Sequence, residues 1–274
     1  MKSLDKALSL LSEFSGTEAE FGVGELALRT GMPKSQVSKI LATFRKHRIL
    51  EQDPQSHRYR VDAKAFALGS RFVNHSKLVR AAMPTMRDLA IRSNHSSRLS
   101  IRVDDDVLYL VSVEGPHFIE TGWRAGQWMP MHAASAARVL LAFYPPEKIR
   151  EILDKSGMTA LTPETIRDPD ALMALLAEVR SSGVARNRDE TAIGLSTLSV
   201  PVLGARNEPI AALTLAFPSK LVTPAQEQPL IDLLHEGART VSYKIGCSIY
   251  RFGSVASGLG VDAPREAAAR LPHG

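Results

Sequence analysis

Eight histidines, one cysteine and 29 acidic residues are the groups from which this 274-residue chain would build catalysis or a metal site. Their spacing builds neither. There is no Gly-x-Ser-x-Gly elbow, no His-Glu-x-x-His helix and no pair of histidines four residues apart. Cys247 stands alone, which excludes a disulfide framework and a cysteine-rich metal module and fits a reducing compartment. Asp104, Asp105 and Asp106 are consecutive on a turn, so their carboxylates diverge and read as solvated. His132 reads first as a local structural residue. No cofactor, no metal and no enzymatic activity are expected.

The chemistry the spacing does support is recognition of a polyanion. Residues 1–80 hold 14 Lys/Arg against 8 Asp/Glu, and residues 81–274 hold 20 against 21. Within the first segment, residues 30–80 carry 11 basic and 3 acidic side chains. A field so unevenly placed suits a polyanionic partner for one domain and none for the other. Lys34, Ser35, Gln36, Ser38, Lys39 and Arg45 share the outer face of a helical stripe whose inner face is Val37, Ile40, Leu41 and Phe44. Such side chains meet base edges and phosphates.

The elements that must hold those residues follow from the flanking pattern. Leu4, Ala7, Leu8, Leu10, Leu11 and Phe14 mark a first helix, and residues 24–30 a second, closed by Gly31. Pro33 is expected at the first position of the third helix. Two short helices joined through a glycine turn are a helix-turn-helix. Ile49–Glu51 and Arg58–Val61 then predict a small hairpin wing, with Arg58, Tyr59 and Arg60 placed for a phosphate backbone. Gly22-Val-Gly24-Glu-Leu-Ala27 matches the form of a dinucleotide fingerprint, but no strand precedes it, and Gly258–Ala263 matches equally well. It carries no weight.

At this point the chain resembles the IclR family of bacterial transcriptional regulators. The resemblance rests on Lys6–Leu11, Gly24–Ala27, Gly31–Thr43 and Leu50-Glu51 with Arg58–Arg60. In the second half it rests on Pro130–Ala133, Leu140–Phe143, Gly194, Ser199–Val202 and Ala211–Leu215. It covers roughly residues 3–247. It implies a two-domain α+β protein: a winged helix-turn-helix over 1–62, a linker and dimerisation helix over 63–82, and an α/β GAF- or PAS-like effector-binding domain over 83–250. Residues 251–274 read as a disordered tail. Residues 63–82 read as one helix whose apolar side chains exceed one packing face, so a second subunit is expected on it.

Within the second domain the helix opening at His132-Ala133-Ala134-Ser135 would offer N–H donors to a carboxylate. Trp123, Trp128 and Met129 would wall the same place. The resemblance adds Asn187, Thr197, Thr214 and Ala216 as effector-binding positions. The chain departs from many relatives there: Asn187 replaces an acidic residue, Thr197 a cysteine or small polar one, and Ala216 a hydroxyl. Ala137-Arg138 stands where relatives often have Gly-Lys. A less polar wall points toward a larger or more aromatic carboxylate.

The expected partners are double-stranded DNA with an inverted-repeat operator, a small carboxylate effector and further copies of the chain, as dimer or tetramer. No stretch approaches 18 uninterrupted apolar residues and the start lacks a signal-peptide pattern, so a cytoplasmic protein is expected, with no membrane partner. The competing reading is a metabolic enzyme whose basic N-terminal segment serves dimerisation.

Overall fold

Alternation and helical stripes both find their partners in the computed structural model, which describes residues 2–16, 18–117 and 125–253. Leu10 of α1 (Lys2–Ser12), Leu26 of α2 (Val23–Thr30) and Val37 and Leu41 of α3 (Lys34–Lys46) close one core with Phe21, Leu50 and Tyr59. Gly31 turns the chain from α2 into α3 at φ 66°, a conformation that costs a residue with a Cβ more than it costs glycine. Pro33 caps α3 from outside rather than occupying its first position. The wing is β1 (Leu50–Gln52) paired antiparallel with β2 (Tyr59–Val61), and its turn is held by Asp53, which accepts from the Gln55 and Ser56 amides.

The expected single helix over 63–82 is two helices, α4 (Ala63–His75) and α5 (Lys77–Ser93). Ser76 divides them. Its backbone is extended, and its hydroxyl caps α5 by accepting from the Val79 amide at 3.3 Å. None of the α4 side chains is buried, and Phe66, Leu68 and Phe72 lie 75%, 58% and 57% exposed.

The second domain is built on one six-stranded antiparallel sheet in the order β5-β4-β3-β8-β7-β6. The strands are β3 (Ser96–Val103), β4 (Asp106–Val113), β5 (Trp128–Met129), β6 (Ala185–Arg188), β7 (Leu195–Leu203) and β8 (Pro209–Pro218). Side chains alternate across it. Leu99, Leu198, Val200, Leu213 and Leu215 face α5 and α9 (Glu227–Lys244). The opposite face, with Ala212, meets α6 (Ser135–Leu141), α7 (Pro146–Ser156) and α8 (Pro169–Ser182). α9 comes close to α5 at Gly237, where a Cβ would meet Thr85 Cγ2 at 3.0 Å.

Three local expectations change. β6 was not anticipated. The sequence also predicts a strand over 117–124, which lies almost wholly outside the described residues, and the strand on that edge is Trp128–Met129, paired with Leu108 and Val107. The domain body continues to Gly253: Phe252, inside the span read as tail, is buried against Gly183 and stacks on His235. His235 Nδ1 lies 3.0 Å from the Tyr250 hydroxyl, which donates onward to the Pro201 carbonyl. No helix among the described residues is long and apolar enough to cross a membrane.

Candidate functional site

The outer face of α3 is as the stripe requires. Lys34, Ser35, Ser38 and Lys39 are exposed, while Gln36 is half-buried with the Lys6 ammonium 3.5 Å from its Oε1. The remaining sequence-predicted DNA contacts are engaged inside the domain. Arg45 donates to Gln52 Oε1 at 2.6 Å, tying α3 to the wing. Arg58 donates to both Glu25 carboxylate oxygens and to the Glu20 carbonyl, with the Glu20 carboxylate 3.0 Å from its Nε. The Gly22 amide first, and then Arg58, hold the Glu25 carboxyl below its ordinary 4.5. Tyr59 is only 5% exposed, in the core and bridged to Phe21, so its ring is not a surface group. Between Arg58 and Arg60 the alternation of the strand turns Tyr59 inward.

In the second domain a small cavity opens between the sheet and the start of α6. Its volume is about 20 Å³, room for one water molecule. Met129, Ala134, Ser135, Thr197 and Thr214 line it as expected, joined by Arg98, Ser100, Tyr109, Ala136, Thr191 and Leu195. The Ser135 hydroxyl sits 2.7 Å from both Thr197 Oγ1 and Ser199 Oγ, and Ser199 Oγ lies 2.7 Å from Thr214 Oγ1. These four hydroxyls form one chain across β7, β8 and α6. Burial raises the Tyr109 phenol above its usual range, opposed by the Arg98 charge and a Ser112 hydrogen bond.

Three predicted effector residues do not line the cavity, and each has a structural reason. His132 Nε2 faces the Thr159 carbonyl at 3.0 Å, and burial lowers its imidazole below 6.5. Asn187 donates to the Ala133 carbonyl at 2.7 Å and accepts from the Glu190 amide, so it shapes the loops around the cavity. Ala216 is buried in register between Ser96 and Thr197. Trp123 lies outside the described residues. Trp128 points away from Met129 and borders a surface hollow with Ser12, Ser15 and Gly16 at the end of α1. The anion donor expected at the α6 N-terminus is also displaced. That helix is seven residues long and its first hydroxyl is already shared between two partners.

Arg138 anchors the whole arrangement from beneath. It is fully buried, donates to both Glu190 oxygens at 2.7 and 2.5 Å, and donates again to the His132 and Arg186 carbonyls. It therefore fastens α6 to β6 and to the 189–194 loop at once. Arg98 is the residue the sequence reading missed. The signal was present: Ser96, Arg98 and Ser100 alternate with Leu99 and Ile101, and all five are buried. The polar side of that strand reads as a solvent face unless a second layer is known to cover it.

Comparison with known proteins places these two regions together. Residues 3–54 match the IclR helix-turn-helix domain, and residues 70–243 match the bacterial transcriptional regulator IclR C-terminal domain. The regulator KdgR of Escherichia coli K12 is 28% identical over 256 residues, covering 92% of this chain and 97% of that protein. BhcR of Paracoccus denitrificans is 28% identical over 243 residues, covering 89% and 87%. The crystal structure of an IclR-type regulator from Alicyclobacillus acidocaldarius superposes with a TM-score of 0.77 at 27% identity, covering 90% of this chain and 99% of that one. The chain is a transcriptional regulator rather than an enzyme, and it belongs to the IclR family.

Proposed function

We propose that two copies of this chain bind an inverted repeat in duplex DNA through α3, and that a small organic carboxylate entering the α6–sheet cavity sets their affinity for it. The observation that carries this reading is a buried, hydroxyl-lined cavity on the same chain as an exposed basic recognition helix. Lys34, Ser35 and Ser38 stand where phosphates are met, and Lys39 and Gln36 where base edges are read. Arg45 and Arg58 support the helix and wing instead. A cytoplasmic location accords with a DNA partner.

The exposed apolar side of α4 supports the second copy, since Phe66, Leu68 and Phe72 have no cover within one chain. Phe72→Asp should shift the protein toward monomer in sedimentation velocity and weaken operator binding with it. A footprint on the gene's own upstream region, repeated with small carboxylates, tests the whole reading. Two protected half-sites about one helical turn apart, altered by a carboxylate, are expected. Protection without symmetry, at every fragment alike, would refute it.

A further inference from the structure

Among the described residues two arginines are buried, and they differ in one respect. Arg138 has Glu190 and two carbonyls. Arg98, 6% exposed on β3, has no acidic partner among the described residues, and its buried Nε has no hydrogen-bond partner at all. Its guanidinium lies over the Tyr109 ring, 5.2 Å from the centroid, and lines the cavity. A buried cation with no acidic partner among the described residues is destabilising. Among the described residues no other charged side chain lines the cavity.

We infer that Arg98 receives the carboxylate of a singly charged effector. This rests on the effector-site reading above and specifies it. The carboxylate lies on the β3 side of the cavity, against Arg98, and not at the start of α6. On the opposite side the chain Thr197–Ser135–Ser199–Thr214 has four O–H donors and three internal hydrogen bonds. One proton is left to give. Its natural taker is a neutral oxygen on the effector, a keto or hydroxyl group, while Met129, Leu195 and the Tyr109 ring enclose the apolar body between. A second carboxylate would meet no second cation. Because the cavity holds only about one water in this state, the effector must displace a side chain, and Met129 is the most adaptable.

The test uses the full-length protein, thermal shift and calorimetry with monocarboxylates (benzoate, 3-hydroxybutyrate), dicarboxylates (succinate, phthalate) and uncharged compounds (benzamide, glycerol). Monocarboxylates should stabilise the wild type, and Arg98→Gln should weaken them at least ~30-fold, the loss of one charge-assisted hydrogen-bonded pair. Without ligand, Arg98→Met should melt no lower than wild type, because it removes an uncompensated charge. The inference is overturned by dianions or neutral compounds binding as well, by no monocarboxylate binding, by Arg98→Gln retaining affinity, or by Arg98→Met melting well below wild type. Ser100→Leu, which fills the cavity, separates the two levels. Ligands that bind this folded variant undiminished would overturn the effector-site reading itself, whereas ligands lost in Ser100→Leu but kept in Arg98→Gln would overturn only the assignment to Arg98.

Discussion

Replacing Glu190 by Gln keeps the size of the side chain and removes its charge. The guanidinium it leaves behind is 1% exposed, and the Glu190 side chain is 11% exposed, so solvent screens neither. Values for surface pairs, at most about 1 kcal/mol, do not apply here. Gln can still accept one Arg138 N–H, but its amide nitrogen turns a donor toward the other. Removing one partner of a buried pair costs about 3–5 kcal/mol, a third or more of what a typical domain possesses. The double variant Arg138→Met with Glu190→Met removes both charges. It forfeits the Arg138 hydrogen bonds to the His132 and Arg186 carbonyls and the Ile166 amide's bond to Glu190, about 1 kcal/mol each. It should therefore fall within about 3 kcal/mol of wild type, above the single variant. Urea unfolding followed by tryptophan emission suits the question, since Trp123 and Trp128 both lie in the second domain. A Glu190→Gln cost under about 1 kcal/mol, or a double variant no more stable than the single one, would refute the assignment of this pair as the fastening beneath the cavity.

Thr197→Val removes one end of the hydroxyl chain and should weaken a bound carboxylate by about 0.5–1.5 kcal/mol in calorimetry, with DNA affinity in the absence of ligand unchanged. If DNA binding falls and ligand affinity stays, the cavity is not the effector site. Burial, and then the Arg239 charge, depress the His235 imidazole from 6.5 to about 4. The unfolded chain therefore takes the proton first as pH falls. Stability is full above 6.5 and drops below it, and the loss completes near 4 at about 3 kcal/mol. Urea midpoints at pH 7 and 5 should differ more for wild type than for His235→Gln, and equal differences would sink the point. Lys34→Ala should lower the salt slope of operator binding by about one at every sequence, whereas Lys39→Ala should also relax preference at one base pair. A Lys39→Ala protein whose operator preference is untouched would remove that residue from base reading.

Much of the DNA-binding third was legible because its periodicities are local. The Val37–Leu41 stripe, the Gly31 turn and the paired short strands each declare themselves within a dozen residues. Tyr59 was misplaced for a matching reason: in so short a wing, its inward position, like the ion pairs of Arg58 with Glu20 and Glu25, depends on α2 and the residues before it, more than 30 residues upstream in sequence. Likewise Ser76 carries a capping signal that the continuous apolar pattern over 63–82 masks. Thr197 and Thr214 came from resemblance, Met129 and Ser135 from pattern. Arg98 came from neither, because alternation says that two faces differ without saying that α6 will cover the polar one. β6 was hidden by Asn187, a polar residue at an inward position, whose amide donates to the Ala133 carbonyl more than 50 residues earlier.

The two-residue strand Trp128–Met129 touches both regions of the chain. In extended backbone adjacent side chains leave on opposite sides, so Met129 enters the cavity while Trp128 stands at the Ser12–Gly16 corner of the DNA-binding domain. The dipeptide pairs with Val107 and Leu108, and the Gly126–Gln127 turn before it is tied to Tyr109 by two backbone hydrogen bonds. An effector that pushes Met129 aside acts on a strand whose next side chain, the Trp128 indole, borders the DNA-binding domain. Cavity and domain corner are then one peptide bond apart, a shorter path than one across the sheet. The energy available to swing the DNA-binding domain by this route is bounded by how much better the ligand fits the tilted state than the resting one.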